Sequence, residues 1–178
     1  YNRAEQGVVV DYLIIMGYDE HYAGSEEAGS VASINWVREG IEETLKEVPA
    51  EKVINAVPFY TRLWQETPKT EEEIAAEDTT AVDYKYIPYK LSSQALGMQA
   101  VEDVLTANGA TPTWDDTTGQ YYAEFEKDGS TFKVWMEEEK SIEEKAKLLK
   151  EYNLAGIAEW KLGLEKSSIW DIILKYVN

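Results

Sequence analysis

The chain has 178 residues, with 34 acidic against 17 basic side chains and a net charge of −17 at pH 7. This acidic balance argues against nucleic acid or an anionic membrane as a partner. With no cysteine and one histidine, disulfides, thiol catalysis and cysteine or multi-histidine metal sites are excluded, and we predict neither metal nor cofactor. No segment approaches the roughly 20 apolar residues of a membrane span, so we predict none.

The first third of the chain has the pattern of a βαβ unit. Residues 8–19 form an apolar run that predicts a buried strand. Apolar residues at helical spacing predict a helix over 34–47, which Val48 and Pro49 end. A second apolar strand is expected over 53–60, and a crossover of this kind is almost always right-handed.

The middle of the chain, from Gln65 to Lys140, has a different pattern that predicts a small α+β subdomain. Its hairpin is signalled by Asp128-Gly129 between two alternating segments. In chain order we expect an acidic solvated loop, an aromatic strand or lining segment, a helix and two strands, at 71–78, 83–89, 98–108, 121–127 and 131–137.

The last segment returns to the first pattern. Ser141 to Glu144 reads as a capping box that starts a helix over 141–152. An apolar strand is expected over 154–160 and a final helix over 168–177. We therefore expect one parallel sheet of three strands, with its helices outside it.

The three apolar strands end in side chains that suit a sugar site. The first ends in Tyr18 and Asp19, the second leads into Tyr60 and Arg62, and the third ends in Trp160. Because the carboxyl ends of parallel strands meet at one rim, these side chains are expected to lie together. Indole rings stack on the C–H faces of sugars, and the polar groups can bond to hydroxyls.

These segments resemble strands six, seven and eight of glycoside hydrolase family 18, the chitinase-like (β/α)8 barrels. The resemblance rests on Met16-Gly17-Tyr18-Asp19, on Tyr60-Thr61-Arg62 and on the closing residues 156–165. Two longer stretches, Tyr18 to Tyr22 and Val134 to Glu137, are similar to the bacterial branch of spore-cortex and peptidoglycan N-acetylglucosaminidases.

The resemblance implies an α/β fold that is the C-terminal part, strands six to eight, of a TIM barrel with a small α+β insertion. The implied division is 1–64 as barrel, 65–140 as insertion subdomain and 141–178 as barrel. A complete barrel needs roughly 200 to 250 residues or more, which exceeds this chain. We therefore expect the first five strand–helix units to be absent.

The family's general acid belongs to an Asp-x-x-Asp-x-Asp-x-Glu motif after its fourth strand, and no such pattern occurs in these 178 residues. The resemblance thus implies the C-terminal portion of a hydrolase that is inactive by itself. The alternative is a non-catalytic, lectin-like carbohydrate-binding module. Glu20 and Glu159 are carboxylates near the rim, but neither matches the family acid.

By the same resemblance, Tyr18 would donate a hydrogen bond to the sugar's 2-acetamido oxygen and Asp19 would orient that group. The alternative for this pair is a tyrosine that packs the barrel mouth and an aspartate that caps a loop. Trp160 would form the apolar floor under the reacting sugar, and its alternative is a core tryptophan.

The roles that we expect for the other residues of the rim are less specific. Met16 and Tyr60 would be wall residues of the pocket. Arg62 would donate to sugar hydroxyls or to a neighbouring carboxylate, or else form a structural salt bridge. Trp64 would extend the stacking surface or pack against the insertion, and His21 is expected to form a hydrogen bond within its loop.

The expected function is substrate-assisted, retaining hydrolysis of a glycan that contains N-acetylglucosamine (GlcNAc), either chitin or peptidoglycan. The parent protein would be extracellular or associated with the cell wall or spore. Strands at the two sides of the predicted sheet would lack neighbours, so we expect self-association, a complementary N-terminal barrel fragment or displaced insertion residues to cover them.

Overall fold

The computed structural model describes residues 2–77, 79, 80, 82 and 84–177. The helices are α1 Arg3–Val9, α2 Ile34–Leu45, α3 Glu71–Ala75, α4 Met98–Ala107, α5 Glu139–Glu151 and α6 Ser168–Ile173. The strands are β1 Leu13–Met16, β2 Val53–Pro58, β3 Tyr60–Pro68, β4 Tyr89–Gly97, β5 Thr113–Asp115, β6 Gln120–Lys127, β7 Ser130–Met136 and β8 Gly156–Trp160. Within these described residues, no helix is long and apolar enough to cross a membrane.

The strands form two sheets. A three-stranded parallel sheet has the order β1-β2-β8, and a five-stranded antiparallel sheet has the order β4-β3-β7-β6-β5. The predicted parallel arrangement of three strands is therefore confirmed. The two sheets are directly continuous, because β3 begins two residues after β2 ends.

Helices cover one face of the parallel sheet and leave the other face open. Val57 of β2 packs with Ile142 of α5 and Ile169 of α6 in a buried cluster. On the opposite face, Ile14 and Met16 of β1 are exposed. The alternation of side chains along a strand explains this division, since Ile14 and Met16 point away from the helices.

The five-stranded antiparallel sheet has its own core. Val101 and Leu105 of α4 pack against Ala123, Val134 and Met136 of the sheet. The hairpin β6–β7 turns at Asp128 and Gly129, which both have positive φ. This is the conformation that the Asp-Gly signal predicted.

The strand predicted over 8–19 is wrong in its first part, because Val8 and Val9 are the last two residues of helix α1. Asn2 caps α1 by accepting from the backbone N–H of Glu5. At the other end, the Lys52 ammonium donates to the carbonyls of Gly7 and Val10, at 2.8 and 3.0 Å. Lys52, which is far away in the sequence, thus pairs carbonyls that the end of a helix leaves without partners. The apolar run alone gave no sign of this helix end.

Two predictions in the middle and last segments were also wrong, and a third was decided between its two alternatives. The acidic segment is partly helical, because Thr70 and Glu73 form a capping box at the start of α3. The aromatic segment has no strand over 84–87, and residues 85–89 instead line a small pocket beside Glu26 and Glu27. Asp78 and Asp83, which belong to these two predictions, lie outside the described residues. The predicted box at Ser141–Glu144 is instead a box between Glu138 and Ser141.

Candidate functional site

The end of β1 is drawn tightly against β2, which sets the position of the residues that follow. The Gly17 N–H donates to the Ala56 carbonyl at 2.9 Å. A Cβ at Gly17 would lie 2.6 Å from the Asn55 side-chain oxygen and 2.8 Å from the Ala56 carbonyl oxygen. Only glycine fits this close approach. Tyr18 and Asp19 therefore leave the sheet directly at its carboxyl edge.

Asp19 and Tyr60 join the ends of two neighbouring strands. The Tyr60 hydroxyl donates to the Asp19 carboxylate. Asp19 has a φ of 65°, a left-handed conformation that aspartate tolerates better than most residues. The rings of Tyr18 and Tyr60 meet edge to face, with centroids 6.3 Å apart. The site thus has a core of three side chains from two elements.

Both tyrosines remain protonated at neutral pH. Burial raises the pKa of Tyr60, and its hydrogen bond to Asp19 raises that pKa further. Burial also raises the pKa of Tyr18, with an additional contribution from the Asp19 charge. Within the described part of the chain, the Tyr60 hydroxyl is bonded to Asp19, whereas the Tyr18 hydroxyl has no hydrogen-bond partner. Tyr18 can therefore donate to a ligand.

Arg62 lies two residues beyond Tyr60 on β3. Its Nη1 donates to the Ser93 hydroxyl on β4 at 3.0 Å, while its Nε is buried without a partner. Among the residues that the structure describes, Arg62 forms no ion pair, so the structural salt bridge considered as an alternative is absent. The side chain keeps donor capacity beside the tyrosine pair.

Trp160 lies on the open face of the parallel sheet, as Met16 does. The Phe59 N–H donates to the Trp160 carbonyl at 2.7 Å, which fixes the end of β8 beside the segment that leads to Tyr60. The indole is 55% exposed, so it is not a core tryptophan in this chain. Its peptide bond to Lys161 is cis. Glu159 precedes it and points to the opposite face by strand alternation.

The loop that follows Asp19 is held to the five-stranded sheet. Trp64 is buried, and its Nε1 donates to the Gly29 carbonyl at 2.8 Å, so it packs against the loop and offers no stacking surface. The predicted hydrogen bond of His21 within its loop is confirmed, since its Nδ1 lies 2.8 Å from the Ser30 carbonyl. Glu20 accepts from the backbone and hydroxyl of Ser33 at the start of α2, at 2.7 and 3.0 Å.

Two features of the site did not follow from the sequence. The bond between Tyr60 and Asp19 depends on the register of β1 against β2, which no local pattern encodes. Glu137 is completely buried, whereas glutamate is usually exposed, and its only signal was membership in the family-like stretch ending there. Across the described segments, no cluster of three or more acidic or histidine side chains is arranged to hold a metal ion.

The profile of the family described as glycosyl hydrolases family 18 matches residues 2–165. The chain belongs to this family. Among curated relatives, YdhD of Bacillus subtilis is 30% identical over 164 residues, which cover 92% of this chain and 34% of that protein. The cortical fragment-lytic enzyme of Bacillus subtilis is 27% identical over 176 residues, which cover 97% and 36%. The chain thus spans about a third of the length of these relatives.

Solved structures share the fold of this family 18 chain. A chitinase from Chromobacterium violaceum superposes with a TM-score of 0.80 at 26% identity, covering 99% of this chain and 49% of that one. The spore cortex-lytic enzyme SleL of Bacillus cereus superposes with a TM-score of 0.81 at 21% identity, covering 99% and 38%. The resemblance to the chitinase-like family, and to its spore-cortex branch, is confirmed.

Proposed function

We propose that the parallel sheet corresponds to strands six, seven and eight of a (β/α)8 barrel. In this proposal residues 1–64 and 141–178 belong to the barrel, and residues 65–140 form the insertion subdomain. The order β1-β2-β8, with helices on one face only, supports it. The uncovered face carries Ile14, Met16 and Trp160, which would line the interior of a closed barrel.

We infer that the site binds a GlcNAc-containing glycan and belongs to a hydrolase of chitin or peptidoglycan. The observation that carries this inference is the hydrogen bond from Tyr60 to Asp19, with the free Tyr18 hydroxyl beside it and Trp160 at the next strand end. Two of the similar proteins are named for these activities, one as a chitinase and one as a cortical fragment-lytic enzyme.

The proposed chemistry is substrate-assisted and retaining. The acetamido carbonyl oxygen of the sugar attacks the anomeric carbon as the glycosidic C–O bond breaks, and water later opens the resulting oxazolinium ion. Tyr18 donates to the acetamido oxygen, and Asp19, held by Tyr60, orients the group. Holding the acetamido group in an attack geometry is positional catalysis. Trp160 forms the floor, Met16 lines the wall and Arg62 bonds to sugar hydroxyls.

The leaving oxygen must take a proton from a general acid, and these residues do not contain the family motif that supplies it. General acid catalysis typically contributes about 10²- to 10⁴-fold. We therefore expect the isolated chain to be inactive toward a nitrophenyl chitobioside. Turnover by the purified chain that Asp19→Ala abolishes would contradict this expectation.

Sugar binding can be tested on the chain alone. We expect chitotetraose to shift the Trp160 indole N–H resonance, whereas cellotetraose, which lacks acetamido groups, shifts it far less. In titration calorimetry, Trp160→Ala should abolish binding, and Tyr18→Phe should remove most of the preference for the acetamido sugar. Leu174→Ala, exposed to a similar degree outside the site, is the matched control. Equal shifts by the two sugars would refute the proposed site.

A lectin-like carbohydrate-binding module is the second candidate. It is favoured by one observation, namely that the side chains proposed to contact sugar lie in a sequence without the acid motif. Acetamido-specific binding combined with inactivity of the longer protein would support it.

We place the parent protein outside the cell or at the cell wall or spore, since similar proteins are named as spore-cortex enzymes. We also propose that self-association or a complementary N-terminal barrel fragment covers the open sheet face.

A further inference from the structure

A chain of buried polar side chains connects the insertion subdomain to the loop that carries Asp19. Glu137, at the end of β7, and Lys145, on α5, form an ion pair at 3.0 Å with both side chains fully buried. Gln120 is also fully buried, and Ser30 is 4% exposed. Burial of so many polar groups is costly unless their hydrogen bonds are satisfied, so this connection requires an explanation.

The Glu137 carboxylate accepts hydrogen bonds from three donors on two elements, α5 and β6. Besides Lys145, the Ser141 hydroxyl and the Gln120 side-chain amide each donate to it at 2.8 Å. Burial raises the pKa of Glu137, and Lys145 and Ser141 act in the opposite direction. The three donors thus fix one carboxylate, and through it they fix the orientation of Gln120.

Two branches run from this carboxylate residue to the site. In the first, the Ser30 hydroxyl donates to the Gln120 side-chain oxygen at 2.5 Å, and the Ser30 backbone carbonyl accepts from the His21 N–H at 3.1 Å. In the second, the Glu137 N–H donates to the Thr61 hydroxyl at 2.7 Å. His21 lies two residues beyond Asp19, and Thr61 lies next to Tyr60.

We infer that Glu137, Gln120 and Ser30 are positioning residues that hold Asp19 and Tyr60 in register with each other. Asp19 is exposed, and its position depends on the loop around it. Directional bonds can set the separation of the loop and β3 more narrowly than apolar contacts do. The consequence for sugar binding rests on the function proposed above, but the geometric inference does not.

The first test compares Ser30→Ala with Ser130→Ala. Both serines are buried and bonded to side chains, but Ser130 contacts Gln65 and Thr67 at the far end of β7. The readouts are hydrogen exchange of the His21 amide and of the Tyr60 hydroxyl proton, the latter assigned by its loss in Tyr60→Phe. We expect Ser30→Ala to speed both exchanges by about three- to tenfold, the effect of one hydrogen bond.

The outcomes separate positioning from general stabilisation. Ser130→Ala should lower the melting temperature to a similar extent and leave both exchange rates unchanged. Unchanged exchange in Ser30→Ala, or equal acceleration in both variants, overturns the inference. If Ser30→Ala does not fold, Gln120→Leu breaks the same link from the other side and is judged by the same readouts. Ser30→Thr, which keeps the hydroxyl, should restore slow exchange.

A second readout connects the network to the ligand. If chitotetraose binds the unmodified chain, Ser30→Ala should weaken that binding by about threefold or more, and Ser130→Ala should not. If the unmodified chain binds no sugar, the proposed function fails. The exchange measurements still decide the positioning role in that case, so the two failures are distinguishable.

Discussion

The buried ion pair makes a quantitative prediction about Lys145→Met. Methionine fills similar space but leaves the fully buried Glu137 carboxylate without its cation. Breaking a buried pair by removing one partner typically costs about 3–5 kcal/mol. For a chain of this size, each kcal/mol corresponds to roughly 2–4 °C in melting temperature, so a decrease of about 6–20 °C is expected.

The same substitution should change the pH dependence of stability. Burial already raises the pKa of Glu137, and Lys145 opposes that shift, so its removal raises the pKa further. A carboxyl with a raised native pKa binds more protons in the folded than in the unfolded state. The stability that the protonated carboxyl contributes to the fold is therefore lost as pH rises through the folded pKa. The loss in free energy of unfolding that Lys145→Met causes should therefore be largest at neutral pH and become smaller as the pH is lowered.

Urea unfolding of matched variants measures these effects. Lys147→Met, two residues further along α5, removes an exposed pair with Glu144 and should cost less than about 1 kcal/mol. Glu137→Gln combined with Lys145→Met removes both charges and should recover much of the loss. A Lys145→Met deficit as small as that of Lys147→Met, or one that grows as pH falls, would refute the reasoning.

Two further substitutions test the sheet that supports the site. Gly17→Ala should destabilise the chain by about 1–3 kcal/mol in thermal unfolding, because its Cβ meets the Ala56 backbone, whereas Gly40→Ala, in open space on α2, should be neutral or stabilising. Met16→Lys should reduce apolar dye binding and light scattering, because Met16 lies on the uncovered sheet face; unchanged values would show that this face does not drive association.

The fold could be predicted where local patterns decide it. The three parallel strands are apolar runs, and α4 and the β6–β7 hairpin have clear helical spacing and a clear turn signal. Strands β3 and β4 were missed because they stabilise each other through nonlocal pairing over nine residues on each strand. The segment of β4 has small and polar residues, such as Ser92, Ser93 and Gln94, whose strand propensity is weak by itself.

The grouping of Tyr18, Asp19 and Tyr60 could be predicted from the sequence, but the bonding among them could not. These residues and Trp160 were proposed for the site because they follow apolar strands, and the carboxyl ends of parallel strands share an edge. Which side chain bonds to Asp19 depends on register and loop geometry, and Tyr60 rather than Arg62 has that role in the structure. Tertiary contacts of this kind are absent from single-segment patterns.

The antiparallel sheet bears on the candidate site because it is directly continuous with the parallel sheet. The chain leaves the parallel sheet at Pro58 and enters the antiparallel sheet at Tyr60, so one residue, Phe59, separates the two sheets. Asp19, by contrast, lies on a loop that returns to the antiparallel sheet through Gly29 and Ser30. Tyr60 and Asp19, the two partners of the hydrogen bond in the candidate site, are therefore both connected to the antiparallel sheet. A change in the core of that sheet is expected to disturb their register, so the sheet contributes to the geometry of the site.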